Sequence, residues 1–173
     1  LLTEKNRKLI DEFCEKISKT YEPSMKDILK KLAPHKAHLP VKLRCSLSVL
    51  PPNSTYEVHQ DTIAKVLSGV VYISEETNYG TLIHNSKTDD KPDEINWVVN
   101  KNFIFTRHHN NSWHSYKSNQ NKRYTMIVNL TTDKYLYHYI SEIGYFKGIY
   151  EYIKAGILKN LNLIKLILKK KFQ

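Results

Sequence analysis

Hydrophobic residues follow a helical spacing at both ends of the chain and a strand-like alternation in the middle. Near the start, apolar residues recur at helical spacing between charged ones; these are Leu9, Ile10, Phe13 and Ile17. This spacing predicts an amphipathic helix. A second, short helix is predicted to start near Ser24, which with Asp27 resembles an N-terminal cap, and to stop at Pro34.

From about residue 41 the chain changes to short runs of β-branched and aromatic residues, separated by Pro, Asn, Asp and Gly. Such runs are typical of strands. Eight strands are predicted, at 42-50, 55-60, 65-74, 80-85, 94-99, 102-107, 112-117 and 122-131. This number and spacing predict a jelly roll, or double-stranded β-helix, with two sheets. The mouth of such a barrel is a natural ligand cavity.

Helical spacing returns after residue 131. Residues 137-154 are rich in aromatic side chains, and residues 156-172 have the pattern of a basic amphipathic helix. Its apolar stripe consists of Ile157, Leu161, Ile164 and Leu168. We expect this stripe first to pack against the barrel and second to make peripheral contact with an anionic membrane. Nucleic acid is disfavoured as a partner, because the lysines are not interleaved with aromatics and arginines.

The predicted fold class is therefore mainly β, with a jelly-roll core and helices at both termini. A length of 173 residues suits a single domain with a real core. Within it we assign 1-40 to a helical support, 41-131 to the jelly-roll core and 132-173 to a helical, basic segment.

Charge and cysteine content limit the partners and the cellular compartment that we expect for the protein. A formal charge of +10 allows nucleic acid, membrane surfaces or anionic metabolites as partners. Cys14 and Cys45 have no CxxC partner, which argues against a disulfide framework and a zinc ribbon. The sequence has no apolar run of transmembrane length and does not open with a signal peptide. These features predict a cytoplasmic protein.

Two histidines and one aspartate are candidate metal ligands. His59 and Asp61 share parity at the end of the second strand, so both side chains are expected on one face, while Gln60 points away. His114 lies in the seventh strand, which can neighbour the second in an antiparallel jelly roll. Two imidazoles and one carboxylate form the facial triad of non-haem Fe(II) oxygenases.

A cationic residue follows nine positions after the second histidine. Arg123 begins the eighth strand, and Thr125 points the same way as a candidate hydroxyl partner. A 2-oxo acid that chelates iron through its keto group needs a buried cation for its far carboxylate. The planar fork of arginine suits that task.

Residues 43–131 resemble the 2-oxoglutarate- and Fe(II)-dependent oxygenase superfamily, nearest to its prolyl-4-hydroxylase-type branch. The resemblance is carried by His59-x-Asp61, His114 and Arg123-x-Thr125, in the order and spacing of the pattern HxD…H…Rx[S/T]. By this resemblance, Tyr72 would hydrogen-bond the far carboxylate of 2-oxoglutarate beside Arg123. The glycine usual before the HxD strand is missing.

The resemblance implies Fe(II), 2-oxoglutarate as co-substrate and dioxygen, with no catalytic residue beyond the metal site. It implies a hydroxylase of a small molecule, a sugar or a peptide side chain, in which 2-oxoglutarate is decarboxylated to succinate. Two alternatives stay open. One is a cupin-like metal enzyme that does not use 2-oxoglutarate, and the other is a non-catalytic jelly-roll binding module.

Several residues have competing interpretations. His108 and His109 are rival candidates for the distal ligand, although they fall in an expected loop. We expect His84 to be a hydrogen-bonded barrel histidine rather than a ligand. Tyr72 could equally be a core tyrosine, and Lys65 could meet an anionic substrate, although a solvated lysine is the default.

Overall fold

The computed structural model describes residues 3–171, with side chains described up to residue 160. A long helix, eight strands and two further helices follow one another along the chain. In order they are α1 (Glu4–Leu32), a single 3-10 turn (Pro34–Lys36), β1 (Lys42–Leu50), β2 (Thr55–His59), β3 (Lys65–Tyr72), β4 (Thr81–His84), β5 (Asp93–Ile95), β6 (Asn102–Thr106), β7 (Trp113–Lys117), β8 (Arg123–Thr131), α2 (Tyr135–Ile143) and α3 (Tyr145–Lys171).

The strands form two four-stranded antiparallel sheets, in the orders β1-β8-β3-β6 and β2-β7-β4-β5. Apart from β4 and β5, which are neighbours in one sheet, consecutive strands lie in different sheets in the manner of a double-stranded β-helix, which confirms the predicted mainly-β fold with flanking helices. The division of the single domain into three segments, with boundaries after residues 40 and 131, stays a prediction.

All eight predicted strands are found, and seven have both ends within two residues of the prediction. The fifth is wrong at its C-terminal end, because β5 stops at Ile95 instead of residue 99. The reason is its partner: β4 offers β5 only the three residues from Thr81 to Ile83.

The predicted pair of N-terminal helices is one continuous helix, so that prediction is wrong. At its start, the Thr3 hydroxyl accepts a hydrogen bond from the Asn6 backbone N–H at 3.3 Å. Pro23 lies inside the helix, where proline removes a backbone hydrogen bond. Met25 and Leu29, just beyond the proline, are buried against the sheet. Their burial offsets the cost of the proline.

The main hydrophobic core lies between the C-terminal half of α1 and the sheet β1-β8-β3-β6. Its buried members are Met25, Leu29, Ala33, Leu39, Val41, Leu43, Val66, Leu67, Val128 and Leu130. The first half of α1 contributes less than its spacing suggests, since Leu9 is 67% exposed and Phe13 is 47% exposed. The core therefore covers one face of one sheet.

The C-terminal helices divide at Gly144 rather than near residue 155, which corrects the predicted boundary. Gly144 has φ 84°, a conformation that glycine adopts without strain, whereas Gly156 continues α3. Gly148 packs closely on α2, because a Cβ there would lie 2.7 Å from the Ile140 backbone.

The apolar stripe predicted for the C-terminal helix is described only at its start. Ile157 is 55% exposed, so this residue does not pack against the barrel as expected. The side chains of Leu161, Ile164 and Leu168 lie outside the described residues. Contact of this helix with a membrane surface stays a prediction. Within the described part of the chain, no helix has the length and apolar character needed to cross a bilayer.

Candidate metal centre

His59 and His114 face each other across two neighbouring strands. They are direct partners in the pairing of β2 with β7, a pairing that the sequence allowed, and their ring centroids are 4.3 Å apart. Asp61 follows two residues after His59, beyond the end of β2. Candidate ligand atoms of these three side chains all lie within 4.8 Å of one another. The structure therefore brings together the three residues predicted as metal ligands.

Both histidine rings are held through the same nitrogen. The Nδ1–H of His59 donates to the Glu57 carbonyl at 2.8 Å, and that of His114 donates to the Ser112 carbonyl at 3.0 Å. A carbonyl can only accept, so each Nδ1 carries the hydrogen and each Nε2 keeps a free lone pair. Backbone carbonyls commonly fix metal-binding histidines in this way.

The Asp61 carboxylate is buried and receives two hydrogen bonds. Lys65 Nζ donates to one oxygen at 2.5 Å, and the Ser68 hydroxyl donates to the other at 2.5 Å. Burial alone would raise the pKa of Asp61, but the charge of Lys65 and these hydrogen bonds outweigh it and lower the pKa below its usual 3.8. Asp61 is therefore the charged carboxylate that a metal ion requires. Lys65 is thereby placed as an ion-pair partner, not as a solvated surface residue.

Burial also lowers the pKa of His114 below its usual 6.5, while the hydrogen bond to the Ser112 carbonyl and the charge of Asp61 partly oppose that shift. The neutral imidazole is the form that binds a metal. At neutral pH the two buried groups of the cluster thus carry the protonation states that a divalent cation needs.

Arg123 is buried in a cage of aromatic rings. Its Cζ lies 5.5 Å from the ring centre of Tyr72, 5.4 Å from that of Trp97 and 4.6 Å from that of Tyr116. Nη2 donates to the Thr81 hydroxyl at 3.1 Å, while Nε has no hydrogen-bond partner. Among the described residues no carboxylate forms a salt bridge with Arg123. A buried cation in this state favours an anionic ligand.

The other two predicted co-substrate residues lie beside Arg123. The Tyr72 hydroxyl lies 3.0 Å from the Thr81 hydroxyl that Arg123 also contacts, and it accepts the Thr81 backbone N–H at 2.9 Å. Thr125 is buried and pairs with Tyr72 across the β3–β8 ladder. Trp97 stacks on Tyr72 at 4.3 Å, which makes it a packing residue of this pocket.

Tyr116 joins the two halves of the site, and the sequence reasoning missed it. Its ring centre lies 6.3 Å from that of His59 and 4.6 Å from Arg123 Cζ. The signal was available, because Tyr116 shares parity with His114 two residues earlier in β7. Ser68 and Thr81 were also missed as partners of Asp61 and Arg123, and short polar residues in a strand give no comparable signal.

The competing histidines lie outside the cluster. His84 is hydrogen-bonded, with Nε2 2.8 Å from the Ser115 hydroxyl and Nδ1 3.3 Å from the Asp89 carbonyl, as expected for a barrel histidine. His108 and His109 fall in the β6–β7 connection, and neither joins the three-residue cluster found among the described residues.

Comparisons with known proteins give distant structural matches. A viral collagen prolyl hydroxylase from Paramecium Bursaria Chlorella virus-1 matches at TM-score 0.49 and 10% identity, over 69% of this chain and 74% of that chain. A prolyl-4-hydroxylase from Pseudomonas putida matches at TM-score 0.45 and 17% identity, over 53% of each chain. A cupin domain from Bordetella pertussis matches at TM-score 0.37 and 10% identity, over 52% of this chain and 82% of that chain. No protein-family profile and no curated protein sequence matches.

The aligned region spans about half the length of the Pseudomonas enzyme. Similarities this distant carry no functional assignment, which therefore rests on the residues of the site. Strand order and side chains together define a double-stranded β-helix with a two-histidine, one-carboxylate cluster beside a buried arginine.

Proposed function

We propose that this protein is an Fe(II)- and 2-oxoglutarate-dependent dioxygenase that hydroxylates a small molecule, a sugar or a peptide side chain. The observation that carries the proposal is Arg123, a buried cation without a carboxylate partner among the described residues. Tyr116 lies close to both parts of the site, with its ring centre 4.6 Å from Arg123 Cζ and 6.3 Å from the ring centre of His59.

The donor set suits ferrous iron. Two imidazole nitrogens and one carboxylate oxygen on one side leave open positions for further ligands, which is the ligand pattern of non-haem Fe(II) oxygenases. His59, Asp61 and His114 would hold the ion through the two Nε2 atoms and a carboxylate oxygen. When bound, the iron would supply the oxidation chemistry, with one atom of dioxygen entering the substrate and the other entering succinate as 2-oxoglutarate loses CO₂.

Arg123 would bind the carboxylate of 2-oxoglutarate that lies farther from the metal. Its unpartnered Nε and the donors of its guanidinium point to a charge-assisted, forked interaction. Tyr72 and Thr125 would complete this end of the pocket with hydroxyl groups. The rings of Tyr116 and Trp97 would exclude water from the ion pair, and exclusion of water strengthens its attraction.

The substrate would be selected by the loops around the mouth of the barrel, at 75-79, 86-94 and 107-112. Their acidic and amide side chains suit hydroxyl-rich or peptide substrates, because both offer hydrogen-bond donors. Loops on a rigid scaffold commonly set such specificity.

The test is the affinity of the protein for 2-oxoglutarate in the presence of Mn(II), measured by calorimetry without oxygen chemistry. Arg123→Met should weaken binding by about 30-fold or more, because loss of one partner of a buried charge pair costs about 2–5 kcal/mol. Arg7→Met makes the same chemical change at an exposed position of α1 and should leave the affinity unchanged.

Each alternative predicts a different result. Unchanged 2-oxoglutarate affinity in Arg123→Met would reject the co-substrate assignment and favour a cupin-like metal enzyme. Failure of the wild-type protein to bind Mn(II) at all would reject the metal site and favour a non-catalytic binding module.

A further inference from the structure

Four charged or titratable side chains are buried together beneath the candidate metal centre. Lys36 lies in the 3-10 turn, Arg107 follows β6, and His138 and Glu142 lie on α2. Their side chains are at most 7% exposed. None of them belongs to the metal cluster, the arginine pocket or the hydrophobic core.

Glu142 is the centre of this buried group. One carboxylate oxygen accepts a hydrogen bond from Lys36 Nζ at 2.8 Å, and the other accepts one from Arg107 Nη1. His138 Nε2 lies 3.1 Å from the first oxygen, at an angle that misses a hydrogen bond. Lys36 also donates to the Arg107 carbonyl. Arg107 is therefore held at its side chain and at its backbone.

The group makes two bonds to the segment that carries the metal ligand. Arg107 Nε donates to the backbone carbonyl of Asp61 at 2.9 Å. His138 Nδ1–H donates to the carbonyl of Ile63 at 2.6 Å. Because β2 ends at His59, the carbonyl of Asp61 lies beyond the sheet ladder, and Arg107 supplies its hydrogen bond instead.

Burying such charges is costly, and a hydrophobic replacement of similar volume is often neutral or stabilising. The burial of this group is therefore weak evidence for a stabilising role. We propose that Arg107, fixed by Glu142 and Lys36, is a positioning residue that sets the distance between Asp61 and the two histidine ligands. Helix α2 then supports the metal site through Glu142 and His138.

This inference rests on the proposed function, and its test separates the two. Arg107→Lys keeps a positive charge opposite Glu142 but places a carbon where Arg107 has Nε, so it removes the donor to Asp61. The dissociation constant for Mn(II), measured by electron paramagnetic resonance, should rise about 10- to 100-fold, as is typical when a partner behind a metal ligand is lost.

The control must separate positioning from lost stability. Leu29→Ala removes a buried side chain from the hydrophobic core, away from the site, and should leave the Mn(II) dissociation constant within about twofold of wild type while lowering stability. If Arg107→Lys cannot be purified folded, Glu142→Asp keeps the charge and shortens its reach. It should weaken Mn(II) binding in the same direction.

Three outcomes are decisive. Weaker Mn(II) binding in the Arg107 or Glu142 variant, with normal binding in Leu29→Ala, supports the proposal. Binding equal to wild type in these variants, while Asp61→Asn binds poorly, overturns the positioning role alone. Equal binding by wild type and Asp61→Asn overturns the metal site itself.

Discussion

The two faces of the sheet β1-β8-β3-β6 have opposite chemistry although they share the same strands. On the outer face, Leu67 and Leu130 pack under α1 with its Leu29. On the inner face, Ser68 bonds the carboxylate of Asp61, and the inner residues farther along β3 and β8 form the arginine pocket. The period-two alternation of a strand thus assigns stability to one face and ligand chemistry to the other.

The largest expected effect is the loss of metal affinity on substitution of Asp61, on the inner side of the sheet. Asp61→Asn keeps the shape of the side chain but removes its charge, and we expect Mn(II) affinity to fall by more than about 100-fold, beyond the usual loss for a partner behind a ligand. Stability without metal should fall modestly, because the substitution ends the ion pair with Lys65, whose side chain is 31% exposed. Metal content after reconstitution and thermal unfolding in chelator measure the two effects.

Asp90→Asn is the matched control, because this aspartate lies exposed in the β4–β5 connection. Its metal content should equal that of wild type. If both aspartate variants keep a full complement of metal, the inner face has no metal site at Asp61.

A substitution on the outer face should lower stability and leave metal affinity unchanged. Leu130→Ala deletes a fully buried side chain and should lower the free energy of unfolding by about 2–5 kcal/mol. Urea unfolding measures this loss, and Mn(II) affinity of the folded protein should be unchanged. Leu9→Ala, at a position 67% exposed, should cost less than about 0.5 kcal/mol. A large loss of metal affinity in Leu130→Ala would mean that the two faces are not independent.

The pH dependence of stability tests a third region, the buried charged group around Glu142 on α2. The neighbouring His138, together with the hydrogen bonds and charges of Lys36 and Arg107, outweighs burial and holds the pKa of Glu142 well below its ordinary 4.5. A depressed pKa stabilises the fold fully above the unfolded value, and the contribution is lost as the pH falls below it. Wild-type stability should therefore decline steeply below about pH 4.5.

The comparison of two variants tests this assignment. Glu142→Gln should flatten the decline measured by urea unfolding between about pH 6 and pH 3.5. Leu130→Ala should shift the whole curve downward without changing its slope. Parallel curves for wild type and Glu142→Gln would contradict the role of Glu142 in acid sensitivity.

The smallest effect concerns a thiol on the outer face. Burial and a hydrogen bond with Cys14 raise the pKa of Cys45 to about 12. Since the thiolate is the reactive form, alkylation of Cys45 by iodoacetamide near neutral pH should be much slower in the folded protein than in urea. Mass spectrometry of timed samples measures it, and equal rates in both conditions would refute the burial of this thiol.

The sequence allowed the strands to be predicted from local rules, and the metal cluster from local parity together with the HxD…H…Rx[S/T] pattern that adds His114. Turn residues bound the strands, and parity placed His59 and Asp61 together. The cap-like pair Ser24 and Asp27 misled the prediction of α1, since the helix runs through both residues and Met25 and Leu29 are packed in the core. The positioning group was missed because Lys36 and Glu142 are 106 residues apart, and no local pattern relates them.

The measurement that tests the central claim most directly is an anaerobic titration of the protein with Fe(II) and 2-oxoglutarate, followed by visible absorption. Wild type should develop a weak charge-transfer band that needs both additions and is absent from Asp61→Asn. Arg123→Met should require a far higher concentration of 2-oxoglutarate for the same band. If wild type gives no band at saturating Fe(II) and 2-oxoglutarate, the proposed iron and co-substrate site is wrong.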